Sequence, residues 1–341
     1  MEDAEADSAC HTDFSDYWSF ILGNQGFDQI DRYWRRQNMA SMQYRLVSSL
    51  FKLMRVNKML AKEGPEFEKL LETYRIKQKK PLAVPYKKMS EFDIISKTVE
   101  GTTVYVVREK GAEPQKAVLY LFGGGYILPP DPGDIVLCGQ IAKETDAEVW
   151  FPMYPMAPDH TLAEAVVSTL QVYQKMLESY NAENVRFFGT SSGGGLAMSV
   201  CVYIRHEQLA VPLPGKLVLQ SPGLQVPPSA EQKEEMRKRE KADIMIPPRF
   251  FDNIAPVLAT GDDSYLLSPL LFDLTGFPPI DIFYGTREVM IAYLKDFRKA
   301  CKQYDVKLNV HIGKGMMHCW GAMEFVPEAK AVRQEYFQAL Q

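Results

Sequence analysis

The sequence predicts an α/β protein whose central sheet is mostly parallel and covered by helices on both faces. Three observations lead there: continuously apolar short runs alternate with helical patterns, the N-terminal segment has helical spacing without strand-like alternation, and two glycine clusters stand directly behind apolar runs. A chain of 341 residues holds one large α/β domain or two small ones and buries a sizeable core either way.

Residues 1–85 carry apolar side chains at helical spacing: Phe20, Ile21, Phe27, Ile30, Tyr33 and Trp34, then Met42, Leu46, Leu50, Leu53 and Met54. The stretch RIKQKKPLAVPYKK, Arg75 to Lys88, then combines basic residues with two prolines, which breaks helix and marks a boundary. Its charges read as a solvated linker. FDIISKTV and TTVYVVRE flank Glu100-Gly101 as a hairpin, with Gly101 free to take a positive φ. Strand-like runs follow at AVLYLF, AEVWFP, NVRFFG, KLVLQS, IDIFYG and KLNVHI, interleaved with helical patterns such as Leu162 to Leu177. Between the fourth and fifth lie about fifty residues, far beyond a usual αβ connection, so residues 223–265 read as an insertion over the domain.

Composition excludes several classes. With 46% hydrophobic and 24% charged residues and a net charge of -4, the chain lacks the basic excess of a nucleic-acid binder. Cys10, Cys138, Cys201, Cys301 and Cys319 are odd in number and form no CxxC pair, so they read as reduced thiols and supply no metal site. The N-terminal MEDAEADSACHTD has neither the basic nor the apolar part of a secretory signal, and no apolar run approaches the ~20 residues of a membrane span. A cytoplasmic location without stable membrane insertion is the expectation.

The chemistry is carried by the glycine clusters. NVRFFG runs into Gly189-Thr190-Ser191-Ser192-Gly193, a GxSxG in which a strand turns sharply into a helix and leaves Ser191 exposed as a nucleophile. A serine needs a base, and the base a third group to orient it. Among five histidines only His318 occupies a loop directly behind the last strand-like run. The acid belongs between them at a strand end, where IDIFYGTREVM offers Glu288, with Asp296 and Asp305 as substitutes. In LYLFGGGYILPP three glycines bring bare backbone to a ligand, either a phosphate or an oxyanion. No GxxxxGK[ST] or GxGxxG accompanies them, which removes the phosphate reading.

With these pieces assembled, the chain resembles the α/β-hydrolases, in particular the hormone-sensitive-lipase-like branch with many bacterial esterases. Six motifs occur in that branch's order: Phe122 to Gly125, Tyr154 to Asp159, Gly189 to Gly194, Asp263 to Pro269, Gly285 to Glu288, and Gly315 to His318. The resemblance implies an α/β-hydrolase fold, a helical cap built from the N-terminal helices and the insertion, a Ser191, His318 and Glu288 triad, and an oxyanion hole from the amides of Gly124, Gly125 and Ser192. Gly123 would make the turn out of the strand. Phe122 stands where the branch has histidine, so this loop is braced by packing alone. Glu288 and Thr190 replace aspartates, and Ser192 replaces alanine.

The function expected is a serine carboxylic ester hydrolase for short- to medium-chain or small aromatic esters, acting through an acyl-enzyme with no cofactor and no metal. The partner is a small-molecule ester, with a homodimer allowed. The competing reading is a non-catalytic small-molecule-binding protein on the same fold, as in the plant gibberellin receptors.

Overall fold

A computed structural model describes residues 40–259 and 261–341. The helical spacing from Phe20 to Trp34, Cys10 and His11 lie outside the described residues. The rest of the N-terminal segment is helical as expected: α1 (Met42–Met54), α2 (Val56–Leu60) and α3 (Gly64–Gln78). Ser41 caps α1 by accepting a hydrogen bond from the Tyr44 amide, and its own hydroxyl donates to Glu328 at 2.7 Å. The basic run is not simply a solvated linker. Helix α3 continues through its first residues, Arg75 pairs with Asp159 at 2.6 Å, and Gln78 donates to the carbonyls of Ile127 and Ala157, both at 2.7 Å.

The hairpin forms as read, with β1 (Phe92–Val99) antiparallel to β2 (Thr102–Glu109) and positive φ at both Glu100 and Gly101. After β3 (Lys116–Leu121) come α4 (Pro132–Thr145), β4 (Ala147–Pro152), α5 (Leu162–Leu177), β5 (Val185–Thr190), α6 (Ser192–His206) and β6 (Lys216–Gln220). The insertion carries α7 (Ala230–Arg239) and α8 (Arg249–Leu258), and the chain closes with β7 (Ile280–Gly285), α9 (Leu294–Gln303), β8 (Leu308–Gly313) and α10 (Pro327–Leu340).

The eight strands make one sheet in the order β1-β2-β4-β3-β5-β6-β7-β8, parallel from β4 onward. Alternation along the strands sends successive side chains to opposite faces. Phe188 and Tyr120 pack toward Tyr336 of α10, whereas Phe187 meets Tyr173 of α5 edge-on at 4.8 Å. Both faces are therefore apolar and both are covered, which is why these strands read as continuous hydrophobic runs. Because β4 lies on one side of β3 and β5 on the other, the sheet has its switch point between β3 and β5. In open parallel sheets the crevice beyond the strand ends at such a point is where ligands bind, and both glycine clusters leave the sheet there. Among the described residues no helix is long and apolar enough to cross a membrane.

Candidate active site

The elbow behind β5 is a steric construction. Ser191 has φ 53° and ψ -120°, and its amide donates to the carbonyl of Gln220 at 2.8 Å on the neighbouring strand. A Cβ on Gly193 would lie 2.1 Å from the carbonyl oxygen of Leu121, and one on Gly189 would lie 2.4 Å from that of Gly193. No side chain fits either gap, so the motif's glycines are dictated by backbone crossing backbone. Gly193→Ala is accordingly expected to destabilise the fold by ~3 kcal/mol, since only strand movement can relieve the clash. Urea unfolding of the variant checks this, and an unchanged midpoint would contradict it.

Ser191, Glu288 and His318 come together from three strand ends. The Ser191 hydroxyl lies 2.9 Å from His318 Nε2, and His318 Nδ1 lies 2.6 Å from Glu288 Oε2. Asp296 instead accepts a hydrogen bond from Gln232 at 2.8 Å, and Asp305 sits in a turn behind α9. The other described histidines are engaged elsewhere: His160 faces Glu164, His206 faces Glu207, and His311 lies between Asp281 and Glu335 while stacking on Phe283.

Glu288 is fully buried, with Oε1 accepting from the Ser221 hydroxyl at 3.0 Å and from the Gly285 amide. Burial pushes its carboxyl pKa up, against the hydrogen bond and charge of His318, which lower it. For His318, burial disfavours the imidazolium, but the Cys319 thiol and the Glu288 carboxylate outweigh it and raise the pKa above the ordinary histidine range. The Cys319 Sγ lies 3.4 Å from the same Nε2 that faces Ser191.

The glycine run behind β3 differs in one respect from the expected division of labour. Gly123 does not make the turn; positive φ falls at Gly124 (134°), Gly125 (62°) and Tyr126 (63°). Gly123 is glycine because a Cβ there would meet the Ser191 Cβ at 3.0 Å and the Thr190 carbonyl at 3.1 Å. The amides of Gly124 and Gly125 donate to no acceptor among the described residues, and Ser192, as the first residue of α6, has no carbonyl a turn earlier in its helix. The Phe122 ring braces the loop by packing, as its identity requires, but the loop is not held by packing alone. It is fully buried, stacks on Tyr154 at 4.2 Å and meets Phe151 edge-on at 5.9 Å, while the Tyr154 hydroxyl donates to the Phe122 carbonyl at 2.8 Å.

Above these groups lies a cavity of about 330 Å³ walled by Val56 and Leu60 from the N-terminal helices and by Met245, Ile246, Phe250, Phe251, Ile254 and Leu258 from the insertion. The two segments also touch each other, through Arg249 with Glu63 at 3.0 Å and Asn253 donating to the Lys62 carbonyl at 2.7 Å. No group of metal-ligating side chains occurs among the described residues.

Four supporting residues escape sequence reasoning. Ser221 bonds Glu288 and also accepts the Cys319 amide at 3.2 Å, tying acid to histidine loop. Tyr44 of α1 donates to the Gly315 carbonyl at 3.0 Å and accepts from the Met317 amide at 2.7 Å; burial pushes its phenol up to about 12. Asp243, from the insertion, accepts from the amides of Val289, Met245 and Ile246. Only Cys319 had a signal in the sequence, its adjacency to His318.

Residues 118–322 match the family described as having the α/β-hydrolase fold. An esterase of Acinetobacter venetianus is 28% identical over 230 residues, covering 64% of this chain and 72% of that protein. Esterase LipU of Mycobacterium tuberculosis is 26% identical, covering 70% and 83% respectively. Of solved structures, EstE5 soaked with ethyl alcohol superimposes with a TM-score of 0.67 at 27% identity, over 82% of this chain and 98% of that one. An esterase from the bacterial hormone-sensitive lipase family shares the fold, with a TM-score of 0.67 at 22% identity over 82% and 98% of the two chains. The chain belongs to the α/β-hydrolase fold family, and stands among its esterase- and lipase-type hydrolases.

Proposed function

We propose that this protein is a serine carboxylic ester hydrolase working through an acyl-enzyme, with Ser191 as nucleophile, His318 as general base and acid, and Glu288 as the orienting acid. The observation that carries the reading is the hydrogen-bonded line from Ser191 through His318 to Glu288, beneath the uncommitted amides of Gly124 and Gly125. Ser191 attacks the ester carbonyl carbon as its proton passes to His318 Nε2. The negative oxygen is met by the amides of Gly124, Gly125 and Ser192, each worth roughly 3 kcal/mol in comparable sites. Collapse expels the alcohol, which takes the proton from His318. Water, deprotonated by the same Nε2, then attacks the acyl-enzyme and releases the carboxylic acid.

Of the expected cap segments 1–85 and 223–265, the described residues 40–85, 223–259 and 261–265 serve as the cap over this site, with residues 86–341 around the insertion as the catalytic domain. Supporting that division are the contacts of Arg249 and Asn253 with Glu63 and Lys62. A cavity of about 330 Å³ suits short- to medium-chain or small aromatic esters. A p-nitrophenyl ester series from acetate to palmitate is expected to peak at short or medium length; a maximum at palmitate would contradict this.

His318 must be neutral to accept the serine proton, so activity falls as pH drops through its pKa. Since that pKa is raised above 6.5, the acid limb of kcat/KM is expected above 6.5. A limb well below 6.5 in a pH-rate profile would show that the Cys319 and Glu288 contributions do not outweigh burial.

A further inference from the structure

The cavity wall changes character where the sheet, α4 and α10 supply it. Tyr120, Thr190 and Gln220 line it from the strands, Asp134 from α4, Arg333 from α10, and Cys319 from the histidine loop. Two of these groups lack the partner that their burial calls for. Gln220 is 1% exposed, and its Nε2 has no hydrogen-bond partner among the described residues. Arg333 is 5% exposed and bonds only neutral acceptors: Nε to the Gly321 carbonyl at 2.8 Å, Nη1 to Gln140 Oε1 at 2.6 Å, and Nη2 to the Ala322 carbonyl at 3.1 Å. No carboxylate of the described residues comes within ion-pairing distance of it, and burial pulls its pKa down. Buried charges are ordinarily paired and buried donors satisfied. Three of the five guanidinium N–H groups are used, which leaves two for another acceptor.

We propose that this wall is a carboxylate subsite: the acyl part of the substrate ends in a carboxylate that accepts hydrogen bonds from Gln220 Nε2 and from Arg333. The preferred substrate is then a half ester of a short dicarboxylic acid. This rests on the reading of Ser191 as an esterase nucleophile. Gln220 adjoins that nucleophile, since its carbonyl accepts the Ser191 amide at 2.8 Å, so a short acyl chain spans the distance. Gln220 and Arg333 are more than nine-tenths buried, which makes the inner part of the subsite a blind end, while Asp134 is half-buried and Asp131, lining the same cavity, is exposed. The alcohol leaves first in an acyl-enzyme mechanism, so the group held at a blind end belongs to the acyl half.

Asp134 shares the cavity and does not forbid an anion. The Tyr120 hydroxyl donates to its Oδ1 at 2.6 Å and the Asp131 amide to its Oδ2 at 2.9 Å, so both of its oxygens already accept hydrogen bonds. Burial first, and the charge of Asp131 second, push its pKa up to about 7, against a smaller lowering by Arg333. It therefore takes up a proton at little cost when a second carboxylate enters.

The test uses matched pairs: monoethyl succinate against ethyl butyrate, and monoethyl glutarate against ethyl valerate, followed by proton release in a pH-stat. Wild type is expected to favour the carboxylate member of at least one pair in kcat/KM by roughly 10–100-fold. Gln220→Met and Arg333→Met are expected to abolish or reverse that ratio. Arg333 also holds the carbonyls of the histidine loop, so if its variant fails to fold, Gln220→Met decides alone. Equal rates or a preference for the uncharged member of both pairs, or an unchanged ratio in Gln220→Met, would overturn the subsite. Calorimetric titration of glutarate into the wild type reads the subsite without turnover, with heat expected for glutarate and none for the uncharged pentanamide. Glutarate binding without hydrolysis of any ester would sink the esterase reading alone; hydrolysis of ethyl valerate without glutarate binding would sink this proposal alone.

Discussion

Ser191→Ala is expected to lower ester turnover by on the order of 10⁵–10⁶-fold while leaving the protein folded. The loss is large because, among the described residues, no second hydroxyl stands in line with His318 Nε2. The fold survives because alanine removes one oxygen from a buried side chain and leaves the elbow's φ of 53° no worse than serine does. Residual catalysis should come from the oxyanion amides and substrate positioning, which the variant keeps. Burst and steady-state rates on p-nitrophenyl butyrate, taken beside a thermal unfolding curve, check both halves. Undiminished turnover in folded variant protein would remove Ser191 from the mechanism.

The second large effect is expected at Glu288. Its two oxygens do different things: Oε2 faces His318 Nδ1 at 2.6 Å, and Oε1 accepts from Ser221 and the Gly285 amide. Glutamine keeps the shape but brings an NH₂ that must point either at the histidine or at two donors. Facing the histidine, it favours the tautomer with the proton on Nε2, where the base is needed; facing the donors, it leaves them unpaired in a fully buried place. Either way Glu288→Gln should lower kcat by roughly 10³–10⁴-fold. The loss should fall on kcat more than KM, because Glu288 touches the base and not the substrate. A variant within a few-fold of wild-type kcat would mean that another group orients His318.

Much of this architecture is legible in the sequence, for physical reasons that differ along the chain. Strands buried on both faces announce themselves as apolar runs, and the elbow announces itself because Gly189 and Gly193 are compelled by carbonyl oxygens 2.4 Å and 2.1 Å from where a Cβ would be. Glu288 and His318 can be picked out by position, since each follows a strand end, and both lie in hydrogen-bonded line with Ser191. What escaped is whatever depends on distant segments meeting. Tyr44 looks like any helical aromatic, yet its hydroxyl holds the loop that presents His318. Gly123 reads as a turn former because glycine runs usually are, whereas packing against Ser191 is what excludes a side chain there. Phe122 shows the converse: its identity alone told that its ring braces the loop by packing, and the stack on Tyr154 is how. Arg333 is the hardest case, because an arginine in a C-terminal amphipathic helix reads as surface, and only the assembled core reveals it buried among neutral acceptors.

The proposed mechanism requires Ser191 to be an activated nucleophile in the folded protein. Treatment with a fluorophosphonate, followed by intact mass measurement and peptide mapping, tests it most directly. One adduct per chain is expected, on Ser191, and it should be lost in Ser191→Ala and suppressed by prior denaturation. A folded protein that takes no label, or takes it on Ser192 or Cys319 instead, would contradict it.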